Sequence, residues 1–220
     1  MLHIRTLIEW FEETKKLFAK HKIIAPELRS IKRRLLTIER QHKFLLDIVS
    51  IEGKGSIIEM AAKQLFKKAG FDDVRLLRKT NPLREDIQIW CDDCIFIIEC
   101  KSGKYPVLSD DDLGAVSKYL NYRRNVLKSK REVYGITLVN HDFLKQPDQR
   151  TKNPFPQEKI KYAKAGEYGL LTTWEVVKGF IKLKSGEMLF EDFKDRLKQS
   201  GEISFLVTGA AKPEKVGLSL

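Results

Sequence analysis

The sequence predicts an α/β fold, a mixed central sheet flanked by helices and preceded by a two-helix arm. Three observations carry this. Ile87 to Cys91 and Cys94 to Cys100 are rich in β-branched and aromatic residues, and only Asp92-Asp93 separates them, so they read as a hairpin with a two-residue turn. The run Ile95-Phe96-Ile97-Ile98 is apolar at successive positions, as in a central strand buried on both faces. On either side of the hairpin the apolar period lengthens to three and four, the spacing of helices that pack one face.

At 220 residues the chain is long enough for one sizeable domain and an appendage. Lys and Arg number 41 against 30 Asp and Glu, and the net charge of +11 favours a polyanionic partner, most commonly a nucleic acid. No apolar run is long enough to span a bilayer, and Glu9, Glu12 and Glu13 close behind Met1 do not suit a signal peptide. A cytoplasmic protein with no membrane partner is expected. Cys91, Cys94 and Cys100 all fall on the hairpin. No second Cys/His pair at a suitable spacing completes a zinc site, so apolar packing of reduced thiols is expected.

The hairpin also sets out a candidate site. If Cys91 pairs with Cys94, then Trp90 faces Ile95, Gln88 faces Ile97 and Asp86 faces Glu99. Lys101, two residues past Glu99, shares its face. Two carboxylates and a lysine at the end of a buried strand are costly unless they bind something. They suit metal-assisted phosphodiester hydrolysis: paired carboxylates offer hard oxygen ligands for Mg²⁺, and the lysine can orient water or stabilise developing charge. The backbone carbonyl of Cys100 lies between the two and is a candidate further ligand.

The pattern D-x12-E-x-K from Asp86 to Lys101, after a helix and a strand and with an apolar run before E-x-K, resembles the PD-(D/E)XK nuclease superfamily of restriction-endonuclease-like proteins. The resemblance implies a mixed sheet in the order α-β-β-β-α-β, with Asp86 and Glu99 as metal ligands and Lys101 as the catalytic lysine. Glu85 stands where the eponymous proline would be.

In chain order, Ile4, Leu7, Ile8, Phe11 and Phe18 form a helical stripe, and Pro26 opens a second helix. Leu28, Ile31, Leu35, Ile38, His42, Leu45 and Val49 then make a heptad seam, which suits a hairpin of the two helices, docking on the nuclease core, or a homodimer contact. Gly53-Lys54-Gly55 marks a boundary. Ser56 opens a helix through Ala69, capped by Gly70. Glu59 there has two readings: it completes an S-x-x-E capping box, or it takes the position at which many of the resembled proteins carry a glutamate that reaches the metal. Val74 to Lys79 is the first strand. Arg84, just upstream of Asp86, and Lys104, just past the hairpin, are candidate phosphate contacts. Ser109 caps the next helix, whose first turn holds Asp110, Asp111 and Asp112. Leu113, Val116, Leu120 and Leu127 are expected to face the core. Lys118, Arg123 and Arg124 make this helix basic, and in the resembled fold a cation from it approaches the phosphate. Glu132 to Val139 is the fourth strand. The segment 140–157 is a long polar loop with Arg150 as a candidate nucleic-acid contact. Lys159 to Ala165 is a short helix, Leu170 to Thr173 a strand running into a threonine-capped helix, Glu187 to Lys198 a final helix, and Ile203 to Thr208 an edge strand.

The expected organisation is an arm over 1–51, a nuclease-like domain over 52–209 and a loose tail over 210–220. The expected function is Mg²⁺-dependent endonucleolytic cleavage of DNA, with Mn²⁺ able to substitute. Asp86, Glu99, Lys101 and Glu59 form the site. The alternatives are a non-catalytic nucleic-acid-binding or assembly module on the same fold, and a nuclease acting on RNA.

Overall fold

The computed structural model describes residues 42–49, 55–77, 85–104 and 109–205. Of the arm expected over 1–51, only a helical stretch at 42–47 lies among them; the rest of the heptad seam, Arg84 and the tail over 210–220 lie outside the described residues. The chain divides into two units, 1–46 and 47–220, and the second holds the sheet.

Six strands stand side by side in sequence order: β1 (Asp73–Leu76), β2 (Ile87–Trp90), β3 (Cys94–Ser102), β4 (Glu132–Asn140), β5 (Tyr168–Thr172) and β6 (Gly201–Glu202). β1, β2 and β3 pair antiparallel, whereas β3 to β6 run parallel. The hairpin has the expected register, with Trp90 opposite Ile95 and Gln88 opposite Ile97. Cys91 N–H donates to Cys94 O across the two-residue turn at 2.9 Å. A parallel neighbour needs a crossover, and a helix supplies it between β3 and β4: α2 (Asp110–Asn121), extended by a π-helical turn over Tyr122–Val126. With α1 (Gly55–Ala69) ahead of β1, the order α-β-β-β-α-β is complete.

The sheet is covered on both faces, which is why β3 is apolar throughout. On one face Ile95 and Ile97 pack with Leu113, Val116 and Leu120 of α2 and Ala163 of α3 (Gln157–Ala165). On the other, Phe96 meets Phe71, and Phe71 meets Phe66 of α1 and Phe190 and Phe193 of α5 (Phe190–Leu197) in edge-on ring contacts or tilted ones. α4 (Thr173–Ser185) follows β5, and its N-cap Thr172 accepts from Glu175 N–H at 3.0 Å. Gly70 ends α1 at φ +126°, a conformation that favours glycine.

Several boundaries differ from expectation. α1 begins at Gly55, so Ser56 lies inside the helix and does not act as its N-cap. Leu127, expected in the core, is 52% exposed. The π-helical turn inserts one residue into the helical repeat, with Leu127 N–H donating to Tyr122 O, and so turns Leu127 away from the stripe of Val116 and Leu120. The last helix begins at Phe190, leaving Met188 and Leu189 in the connection. β6 is only Gly201–Glu202, followed by a bond from Ile203 N–H to Leu170 O. The loop 141–156 is ordered by buried polar groups: Asp142 accepts from Thr151 N–H and Oγ1, and His141 Nε2 meets Thr151 O at 2.9 Å.

Candidate active site

Asp86 sits where the β2–β3 ladder ends. Its N–H donates to Ile98 O at 3.1 Å, and its carboxylate then takes the place of the next backbone acceptor: Asp86 Oδ2 receives Cys100 N–H at 2.8 Å. The ladder ends at the Ile87–Ile98 pair, and the bond from Asp86 N–H to Ile98 O departs from its register, so the expected pairing of Asp86 with Glu99 is not continued as a regular ladder. The charges of Asp86 and Glu99 nevertheless both act on Lys101. Both carboxylates are buried, at 3% and 7% exposure. Lys101 extends from the same face as Glu99 and pairs with it, Nζ to Oε1 at 3.0 Å. Asp112, in the first turn of α2, approaches Lys101 Nζ to 3.8 Å. Burial works to lower the Lys101 pKa, but the hydrogen bond and charge of Glu99, with Asp112 and Asp86 behind, raise it above the ordinary lysine value, so the ammonium form is held.

α2 overhangs this group along one stripe. Asp112, Tyr119 and Arg123 recur at spacings of seven and four, one helical face beside the core row of Leu113, Val116 and Leu120. Burial raises the Tyr119 pKa, and the negative charges of Glu99, Asp86 and Glu85 add to it. Arg123 reaches Glu85, the residue before Asp86: Nη2 and Nε lie 2.6 and 2.8 Å from Glu85 Oε1. Gln88 Nε2 donates to the same oxygen at 2.7 Å, and Trp90 Nε1 donates to Gln88 Oε1 at 2.9 Å. Glu85 is 3% exposed, so this is a buried ion pair, satisfied by three donors. Reading the sequence placed Asp112 in the first turn of the helix but missed its approach to Lys101, and missed Tyr119 and the pairing of Arg123 with Glu85. The signal was available as polar residues at helical spacing alongside an apolar stripe.

The other expected site residues divide. Glu59 is buried on α1, the helix that packs by way of Phe66 and Phe71 on the sheet face opposite to that of Glu99. Lys104 and Lys118 are exposed, as phosphate contacts must be. Arg123 is committed to Glu85. Arg124 pairs with Glu167 at 2.5 Å and donates to Val133 O at 2.7 Å, which puts it at the start of β4, the end of the sheet away from Lys101. Arg150 does not fit a nucleic-acid contact: it is 5% exposed, and its guanidinium bonds Asn140 Oδ1, Val49 O and Lys145 O, tying the loop to β4.

The hairpin turn brings together a second set of ligand-type side chains, Cys91, Asp93 and Cys94, whose ligand atoms lie within 4.8 Å of one another. Asp93 already pairs with Lys194 at 2.7 Å and Lys198 at 3.3 Å, and burial pushes the Cys94 thiol up to about 12. Neutral sulfur beside two ammonium groups does not suit a hard cation such as Mg²⁺. The oxygen set of Asp86 and Glu99 does.

No family model and no curated protein matches the chain. Solved structures do. Restriction endonuclease FokI is similar over 74% of this chain and 31% of that chain, at 17% identity and a TM-score of 0.53. FokI bound to DNA is similar over 76% of this chain and 33% of that one, at 15% identity and a TM-score of 0.53. The small subunit of the heterodimeric restriction endonuclease R.BspD6I is similar over 71% of this chain and 89% of that one, at 16% identity and a TM-score of 0.51. The chain thus matches about a third of the length of FokI. With a mixed sheet in the order α-β-β-β-α-β and helices on both faces, the chain has the restriction-endonuclease-like, PD-(D/E)XK fold.

Proposed function

We propose that the protein is a metal-dependent endonuclease that hydrolyses phosphodiester bonds of DNA. The observation that carries this is the gathering of two buried carboxylates, Asp86 and Glu99, around the charged Lys101 on a nuclease fold. The donor set is all hard oxygen and fits Mg²⁺ or Mn²⁺. A cation held by Asp86 and Glu99 would supply Lewis-acid activation of the phosphoryl group and a bound water of lowered pKa.

This chain's own groups do the rest. Asp86 Oδ2 takes Cys100 N–H, which fixes the carboxylate against β3. Lys101 keeps its proton and donates to the attacking water or to the phosphoryl oxygen on which charge develops. Lys104 and Lys118 are exposed and hold the flanking backbone. The N-terminal arm, with its heptad seam, joins two copies, and a solution mass of one protomer would remove that part of the reading.

Cleavage of plasmid, linear, single-stranded and branched DNA, with RNA controls, tests the function. The expected result is cutting in Mg²⁺ or Mn²⁺, abolished by EDTA and reduced at least a hundredfold in Lys101→Ala, on the order of a lost charge-stabilising donor. Preferential cutting of RNA would reassign the substrate. DNA binding without cutting by the wild-type protein would favour a binding module.

A further inference from the structure

We propose that Arg123 is a positioning residue that fixes the metal-ligating geometry of Asp86 through Glu85; the proposal rests on the reading of Asp86 and Glu99 as ligands. The basic character of α2 suggests a hand on the phosphate backbone for Arg123. The structure gives its guanidinium different work. It lies on the same face of α2 as Asp112 and Tyr119, and two of its nitrogens converge on Glu85 Oε1 at 2.6 and 2.8 Å. Gln88 Nε2 reaches that oxygen at 2.7 Å and is itself oriented by Trp90 Nε1 at 2.9 Å. Trp90 in turn lies under the guanidinium groups of Arg75 and Arg131, at 5.0 and 5.6 Å from the ring centroid. The chain of contacts thus runs from β1 and the start of β4, along the face of β2, to the residue before Asp86.

Asp86 needs the direction of its backbone fixed as well as its carboxylate, whose Oδ2 takes Cys100 N–H. It stands just ahead of the β2 ladder, where its backbone bonds are Asp86 N–H to Ile98 O and Leu77 N–H to Asp86 O. A carboxylate there has to meet Glu99, on the neighbouring strand, at the spacing one cation requires. Anchoring Glu85 to α2 sets the direction of the chain into Asp86. α2 is itself registered on β4 by Thr137 Oγ1 bonding Leu113 O at 2.9 Å, and Thr137 is the β4 partner of Glu99. The two ligands are therefore referred to one helix by two routes. The π-helical turn after Asn121 begins one residue before Arg123, in keeping with the placement of such turns at functional sites.

The test is Mn²⁺ titration calorimetry on the full chain for wild type, Asp86→Ala, Arg123→Met and Glu85→Gln, with thermal unfolding of each and DNA affinity measured without metal. The expected result is Mn²⁺ binding lost in Asp86→Ala and weakened about tenfold to a hundredfold in both Arg123→Met and Glu85→Gln. DNA affinity is expected to be unchanged, and cleavage to be recovered in part by raising Mn²⁺. Should Arg123→Met not fold, Glu85→Gln and Arg123→Lys carry the same comparison. Wild-type Mn²⁺ affinity in folded Arg123 variants, with weaker DNA binding, would overturn the proposal and return Arg123 to the substrate. Mn²⁺ binding indifferent to Asp86→Ala would overturn the site reading itself, a different pattern.

Discussion

At the scale of single residues, burial decides which charges do chemistry. His141 is 3% exposed, and its Nε2 meets a carbonyl, Thr151 O, so that nitrogen carries the proton. Nδ1 is buried and has no hydrogen-bond partner. Burial holds the pKa below the ordinary 6.5; the nearby Arg150 and Lys145 charges lower it further, while the bond to Thr151 and the Asp142 carboxylate oppose them. Because the folded value is the lower one, the stability from the neutral ring is complete above about pH 6.5 and is lost as the pH falls toward the folded value. Urea midpoints between pH 7.5 and 5 are expected to fall in wild type, and the component due to this ring to vanish in His141→Gln. At this scale the sequence was informative where spacing fixes geometry: the pairing of Gln88 with Ile97 and of Trp90 with Ile95, and the shared face of Glu99 and Lys101, follow from the strand period. It was uninformative about Arg150 and Arg123, because an arginine in a polar stretch reads the same whether its partner is a phosphate or a carbonyl 101 residues away, as Val49 O is for Arg150.

At the scale of elements, α2 must lie close to β4 to bring its polar stripe over the site. Gly135 makes this possible: a Cβ there would stand 2.6 Å from Leu120 Cδ1 and 2.8 Å from its Cγ. Gly135→Ala is expected to cost about 1–3 kcal/mol by overpacking, read from chemical unfolding. Its Mn²⁺ affinity should fall as well, since the displaced helix carries Asp112 and Arg123. An unchanged unfolding midpoint would show that Leu120 simply moves aside. The hairpin, α1, the Ser109-capped α2 and the threonine-capped α4 were all legible, because period and caps are local signals. The π-helical turn was not. Nothing in Tyr122–Val126 departs from a helix-forming pattern, and the turn carries Arg123, whose partner Glu85 lies 38 residues away.

At the scale of the whole molecule, the charge of +11 sets how a polyanion is held. DNA affinity is expected to fall linearly with salt on logarithmic axes, and Lys118→Ala to reduce that slope by about one unit while weakening all sequences alike. A slope unchanged in Lys118→Ala would take α2 out of the backbone contact. The element order α-β-β-β-α-β followed from a resemblance resting on a few residues, and the fold bears it out. The central claim is that Asp86 and Glu99 hold one divalent cation beside Lys101. The most direct measurement is anomalous diffraction from crystals grown with Mn²⁺. The expected result is a peak at roughly 2.0–2.2 Å, as for Mg²⁺ ligands, from one carboxylate oxygen each of Asp86 and Glu99. A protein that cuts DNA with no peak there, or with its Mn²⁺ elsewhere, would contradict the account.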